Sequence, residues 1–452
     1  VYVEEISLRP PSVAEVATAV PAFIGYTQKA KKKQDDDLRR IPTKITSMAE
    51  YKQYFGDADP LPFTVNLVED SVTGAITIQP ITAPTLEYLT YYCMQMFFAN
   101  GGGPCYIVSV GGLSEPIAKG DDHSGLQGGL KLVEKGDEPT LIVMPEATRL
   151  TRKAHFFDLV NLALEQCSRL RDRFAILDIY GEDTAGFRNA ICSDPHYLKY
   201  GAAYHPWLET TLGVAYDEET VAIGHHVDEN GGIPGTDLRG KKLGADEVKI
   251  EKLALYNQIN AELPKLRVTL PPGAAVAGVY SRVDKSRGVW KAPANEELRG
   301  VTKPTISITH GEQENLNVDA ATGKSINAIR AFTGRGILVW GARTLAGNDN
   351  EWRYIPVRRF FNMVEESIKK STAWAVFEPN DANTWIKVRS MIENYLIQKW
   401  RQGALAGATP EKAFFVETGL GTTMTALDIQ QGRMIVEIGM AVVRPAEFII
   451  LR

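Results

Sequence analysis

Two apolar runs, TLIVMPE (140–146) and FAILDIY (174–180), flank TRKAHFFDLVNLALEQCSRLRD (151–172), which reads as a helix with Thr151 as its N-cap. Strand, helix and strand in that order make a βαβ unit, right-handed by default. Near-continuous apolar strands belong to a sheet covered on both faces. The pattern sets the fold class as α/β. At 452 residues the chain is too long for one ordinary core, and two to three domains are expected.

The rest of the chain fills in around that unit. Residues 1–28 alternate and then run apolar, as in an extended arm entering a core strand. The charge block KAKKKQDDDLRR (29–40) reads as an exposed loop. A short helix follows, capped by Thr46 or Ser47 and stopped by Gly56, and 63–81 suggest a small hairpin. LEYLTYYCMQMFFANGGG (86–103) is a helix too apolar for the surface, and CYIVSV (105–110) a buried strand. Residues 215–265 turn polar and glycine-rich, and read as a surface insertion, partly loop. Strand GILVWGA (336–342) and a long helix from Pro356 come next. In the following helix, capped by Asn380 or Asp381, Trp385, Val388, Ile392, Tyr395, Leu396 and Trp400 form one apolar stripe. Lys387, Arg389, Lys399 and Arg401 lie off or at the edge of it. Strands at 412–418 and 433–451 close the chain.

Net charge is −5, less basic than a nucleic-acid binder usually is, so no nucleic-acid partner is expected. No signal-like stretch and no 18-residue apolar run occurs, so no membrane insertion is expected. The chain starts at Val1 without a methionine, and a few residues are expected before it. Cys93, Cys105, Cys167 and Cys192 form no CxxC pair and read as buried free thiols.

The candidate chemistry is thin. In DAATGKS (319–325) a phosphate-binding loop would need glycine where Val318 stands. ANGGGPC follows a helix and precedes a strand, the reverse of a dinucleotide fingerprint. His225 and His226 point to opposite faces if extended, so they do not share a metal with Asp228 and Glu229. His123 beside two aspartates is no better. Asp178 and Glu182, near a strand end, are the one conceivable acid/base pair, and they carry the alternative of a hydrolase-like α/β enzyme. No catalytic residue, cofactor or metal ligand is assigned.

The two tips are unusual. VYVEEI (1–6) and VVRPAEFIILR (442–452) are strand-forming, whereas chain ends are usually polar and frayed. Either they are buried in their own fold or they pair with a neighbour.

Several long blocks carry a resemblance: VYVEEISLRPPSVAEVATAVPAFIG, LEYLTYYCMQMFFANGGGPCYIVSV, PPGAAVAGVYSRVDKSRGVWKAPANEEL, INAIRAFTGRGILVWGARTL, YIPVRRFFNMVEESI, the stretch from FEPNDANTW to EKAFFV, and DIQQGRMIVEIGMAVVRPAEFIILR. In this order they resemble contractile tail sheath proteins of phages, R-type pyocins and extracellular injection systems. The resemblance covers nearly the whole chain and weakens at 215–265 and near residue 35.

It implies a structural subunit, not an enzyme. Such subunits form a helical sheath of six-membered rings around an inner tube. The sheath shortens on a baseplate signal and drives the tube through a target envelope. Partners would be further copies, the tube protein, and baseplate and terminal cap proteins. Assembly would take place in the bacterial cytoplasm, and the product would be a virion or a released particle.

The implied organisation is an N-terminal arm (1–25), a main α/β domain (26–330), an α/β inner domain facing the tube (331–440) and a C-terminal arm (441–452). In the family the arms add strands to neighbours' sheets. Val1, Tyr2, Val3, Ile6, Val442, Val443, Phe448, Ile449, Ile450 and Leu451 match them. From charge, Lys387, Arg389, Lys399 and Arg401 are the tube-contact candidates, with Arg358, Arg359, Lys369 and Lys370 as rivals. A tube or capsid subunit is a third possibility, disfavoured by the length and the α/β middle.

Overall fold

The computed structural model describes residues 12–447. The expected arm residues Val1, Tyr2, Val3, Ile6, Phe448, Ile449, Ile450 and Leu451 lie outside the described residues.

A nine-stranded sheet organises the molecule. Its strands are β1 (Pro21–Tyr26), β2 (Thr43–Ile45), β3 (Cys105–Gly111), β4 (Leu141–Val143), β5 (Phe174–Asp178), β6 (Gly201–His205), β7 (Glu296–Glu297), β8 (Ile326–Phe332) and β9 (Gly336–Val339). Their spatial order is β7-β9-β8-β6-β5-β4-β1-β3-β2. The six strands from β8 to β3 are parallel, and both margins are antiparallel. The βαβ unit read from the sequence is the adjacent pair β4–β5 with the helix Lys153–Leu170. Arg152, not Thr151, occupies that helix's N-cap, and no side chain caps it.

Side chains alternate between two apolar layers because successive strand residues face opposite ways. Phe23, Ile107, Leu141, Phe174 and Ile176 face helices α1 (Thr90–Ala99) and α4 (Gly273–Arg287). Ala22, Ile24, Val108, Ile142 and Leu177 face α2 (Gly125–Val133) and α3 (Lys153–Leu170). Burial on both faces explains the apolar runs.

The expected surface insertion at 215–265 is built structure. Val221–Asp228 pairs in parallel with Phe63–Glu69, which pairs in turn with Ile76–Ile78. Leu238, Leu243, Val248, Leu255 and Ile259 are buried and continue the α1/α4 layer. The foreseen hairpin and the foreseen loop are two parts of one lobe.

Two expected boundaries fall inside strands. β1 lies in mid-sheet, so an extended N-terminal segment ends before Pro21 rather than at 25. The boundary at 330/331 falls inside β8, so the C-terminal layer begins beyond β9. That layer contains α5 (Ile355–Ser371), α6 (Ala382–Arg401) and the antiparallel pair Phe414–Glu417 and Glu437–Met440. Its own core joins Phe360, Val364, Val388, Ile392, Leu396 and Val416. Pro356 stands in the first turn of α5, and Asp381 caps α6 by accepting from the Asn383 and Thr384 N–H groups.

Candidate assembly surface: the roots of the two chain ends

Both described ends cross the C-terminal layer. Residues 12–20 form a strap over α5. The Ala14 N–H donates to Ser371 Oγ and the Val16 N–H to Ser367 Oγ, each at 3.0 Å. Val13 and Val16 pack on the C-terminal core. Arg359 Nη2 donates to the Thr18 carbonyl at 2.9 Å, and the Val20 N–H to Thr140 Oγ1 at 2.9 Å, where the chain enters β1. The strap thereby ties the C-terminal layer to the centre of the main sheet.

The other end returns along a different path. The Ala406 N–H donates to the Ala441 carbonyl, and Val442 bridges antiparallel to Leu405. The Val443 N–H donates to the Ala404 carbonyl at 3.2 Å. Val442 and Val443, expected to leave the subunit as arm residues, therefore pair within their own chain. They satisfy backbone groups that follow the end of α6.

Beyond them Glu447 is clamped between Asn317 of the main domain and Arg343 and Tyr354 of the segment between β9 and α5. Arg343 donates to it from Nε at 2.8 Å and Nη2 at 2.6 Å, Asn317 Nδ2 at 2.6 Å and the Tyr354 hydroxyl at 3.0 Å. Burial alone would raise the Glu447 pKa. Hydrogen bonds from Arg343 and Asn317 outweigh it and hold the carboxyl below its ordinary range. Charge-assisted bonds of this kind are the strong ones.

The basic face of α6 divides. Lys387, Arg389 and Arg401 are exposed, and Arg389 pairs with Glu393 one turn on. Lys399 is buried, with its ammonium on Glu15 of the strap and on Gln402 at 3.0 Å, and lies over Trp290 and Tyr395. It leaves the set of free basic contacts. Among the rivals, Arg359 is buried in a two-bond pair with Asp284 at 2.6 and 3.1 Å, and Arg358 is buried beside Asn362. Lys369 and Lys370 both reach Glu366. Sequence reasoning missed Glu15, Ser367 and Glu447. Only Glu447, an acid in an apolar tail, carried a local signal.

The pair Phe414–Glu417 and Glu437–Met440 gains no third strand among the described residues. A two-stranded sheet is marginal alone, and an open edge is a template for another strand. Apolar side chains stand exposed near it: Phe415, Leu420, Leu427 and Ile435, with Val376, Phe377 and Ile386 on the same layer.

The residues of the hydrolase alternative are engaged structurally. Asp178 accepts from the Gly273 N–H at 2.7 Å, at the first residue of α4. Burial pushes its pKa up to about 7. Glu182 accepts from the Trp207 N–H and the Thr305 hydroxyl. Glu146, fully buried, accepts from the N–H groups of Leu89 and Thr90 at the start of α1. The helix starts that hold anions in many α/β proteins thus face the chain's own carboxylates. Lys324 of the failed phosphate loop is buried and donates to the Arg188 and Ile191 carbonyls. His226 is buried against Glu69, while His225 is exposed. Among the described residues no group of three His, Cys, Asp or Glu side chains is placed to hold a metal. Cys93, Cys105 and Cys167 are buried free thiols and Cys192 is half-buried. No described helix is long and apolar enough to cross a membrane.

The family model for the phage tail sheath protein central domain matches residues 238–345, and that for the phage tail sheath C-terminal domain matches 347–452. The whole chain superposes on one from the anti-feeding prophage helical sheath in the contracted state, at 31% identity and a TM-score of 0.67, covering 97% of it. The chain belongs to the contractile tail sheath family. A chain of the PVC sheath complex, an extracellular contractile injection system in its contracted state, matches at 31% identity and a TM-score of 0.64, with 100% of this chain and 96% of that one covered. The tail sheath protein of Enterobacteria phage T4 is 28% identical over 144 residues, which are 31% of this chain and 20% of the phage protein. The sheath subunit described here thus aligns with only about a fifth of that longer relative.

Proposed function

We propose that this chain polymerises as a helical sheath of six-membered rings around an inner tube, and that shortening of the sheath drives the tube through a target envelope. The carrying observation is the coincidence of two features on one layer. Both chain ends are rooted on the C-terminal layer, and that layer presents an open two-stranded sheet with exposed apolar side chains beside it. A tip leaving each root adds a strand to the corresponding sheet of a neighbour. Each strand bond contributes about 0.5–1.5 kcal/mol net, and a row of them with buried side chains makes a durable link. Subunits then move as rigid bodies while the mesh stays joined. A head-to-tail contact that does not close gives the required filament.

In this reading Lys387, Arg389 and Arg401 face the tube. Baseplate and terminal cap proteins bound the polymer, which is made in the bacterial cytoplasm and ends in a virion or released particle. The family's structural role argues against the hydrolase alternative, as does the engagement of Asp178 and Glu182 with backbone groups.

The test is electron microscopy of the full chain beside a version ending at Glu447, which keeps the clamp. Tubes from the first and none from the second are expected. Small closed oligomers from both would return the tips to an intramolecular role.

A further inference from the structure

A cleft of about 410 Å³ opens between the end of α3, residues 196–200 and the start of α5. Arg171, Lys199 and Arg358 bring three positive charges to its wall, and Glu365 is the single carboxylate there. Trp352 and Tyr200 supply an aromatic side. Arg358 is the fixed element. Its side chain is 3% exposed, its centre lies 4.3 Å from the Trp352 ring and 4.9 Å from Tyr200, and Asn362 and Glu365 hold Nε and Nη2 at 2.8 and 3.0 Å.

Lys199 is the anomaly. Its ammonium lies 4.9 Å from the Trp352 ring and 5.7 Å from Tyr200, half-buried, with no hydrogen-bond acceptor or acidic partner among the described residues. Burial first, and the Arg358 charge second, lower its pKa, with Asp349 and Glu351 opposing. Arg171, at the C-cap of α3 with φ of 62°, extends its exposed side chain without an ion-pair partner among the described residues. A desolvated cation beside a second cation costs free energy unless an anion compensates.

We propose that this cleft is an oxyanion site, in which a carboxylate or phosphate group sits against Lys199 and Arg171 with the immobile Arg358 guanidinium behind them. The planar guanidinium and the ammonium suit that chemistry. The oxyanion comes from one of two sources: a side-chain carboxylate of a second copy, or a free anion. The first draws on the charge distribution, since residues 1–330 carry a net charge near −8 while 331–452 carry +3.

Two measurements on the full chain test this, with Lys199→Met, which keeps an apolar stem over Trp352, and Arg171→Gln, which alters an exposed side chain. Calorimetric titration with inorganic phosphate reads a free anion, and the rate of tube formation reads a carboxylate from a second copy. The free-anion source predicts phosphate binding weakened at least tenfold by Lys199→Met and several-fold by Arg171→Gln. The second-copy source predicts assembly slowed in the same order by the two variants. Thermal melts identify a variant that merely fails to fold, and Arg171→Gln then decides alone. Wild-type behaviour of folded variants in both measurements overturns the site, whatever becomes of the strand-exchange test with the shortened chain.

Discussion

The two roots do the same work by different physics. The N-terminal strap is held by many modest contacts: two serine hydroxyls, two valines, and the ion pair between Glu15 and Lys399. The C-terminal root is held by a few backbone bonds and one concentrated polar clamp, in which four donor contacts converge on Glu447. Distributed contacts lose strength gradually as they are removed. A buried charge cluster fails at once when a member goes, because the remaining charge stays desolvated without compensation. In the proposed sheath, this would pair one anchor that weakens gradually with one that acts as a single unit.

The largest expected effect comes from breaking the clamp. Glu447→Ala leaves the Arg343 guanidinium, 4% exposed, without its carboxylate. Loss of one member of a buried pair costs about 3–5 kcal/mol. Hydrogen exchange at residues 441–447 should rise strongly while the strap stays protected. Equal protection in both proteins would show that the clamp does not hold the tail. The clamp is also expected to weaken in acid. Glu447 has a lowered folded pKa, so its contribution is present above the ordinary carboxylate range and lost as pH falls through the folded value.

The corresponding break at the strap should be smaller. Glu15→Ala removes the carboxylate partner of buried Lys399, but Glu15 itself is 41% exposed and water screens the pair. A loss of about 1–2 kcal/mol in a denaturant titration is expected, between the surface and buried limits. A loss as large as that of Glu447→Ala would erase the contrast between the two roots.

How far these contacts were legible in the sequence follows from their range. The βαβ core is local: apolar runs and a helical repeat within 41 residues of sequence, 140–180, give its order. The lobe containing 215–265 was hidden because its buried residues, Leu238, Leu243, Val248, Leu255 and Ile259, are spaced among glycines and charges and join a core with residues distant in sequence, such as Phe63, Val65 and Leu67. Lys399 was misplaced for the same reason. A lysine at the edge of an apolar stripe looks solvated until Glu15, 384 residues away in sequence, is brought beside it. The apolar tail pointed outward at Val442 and Val443 because nothing local marks Ala404 and Leu405 as their partners.

A control for the comparison lies in the main sheet, where the Asp178 carboxylate accepts from the Gly273 N–H. Asp178 has a folded pKa raised by burial from 3.8 to about 7, the reverse of Glu447. Its contribution to stability is fully present below the unfolded value and is lost as pH rises through the folded one. Asp178→Asn keeps an acceptor for the Gly273 N–H and removes the titration. Melting profiles of the two proteins should therefore diverge between about pH 4 and 7, with the variant gaining relative to the wild type as pH rises. A constant offset across that range would mean that Asp178 is not desolvated in the folded chain.

The smallest effect should come from single hydroxyls of the strap. Ser367→Ala removes the acceptor for the Val16 N–H and costs about 1 kcal/mol, the net worth of one hydrogen bond. Ser371→Ala, on the exposed side of the strap, should cost less, because water replaces the lost acceptor for Ala14. Combined with Glu15→Ala, the Ser367 change should be close to additive if the strap is a set of independent contacts. A coupling above about 1 kcal/mol would show instead that Glu15, Val16 and Ser367 act as a unit, and the strap would then resemble the Glu447 clamp rather than contrast with it.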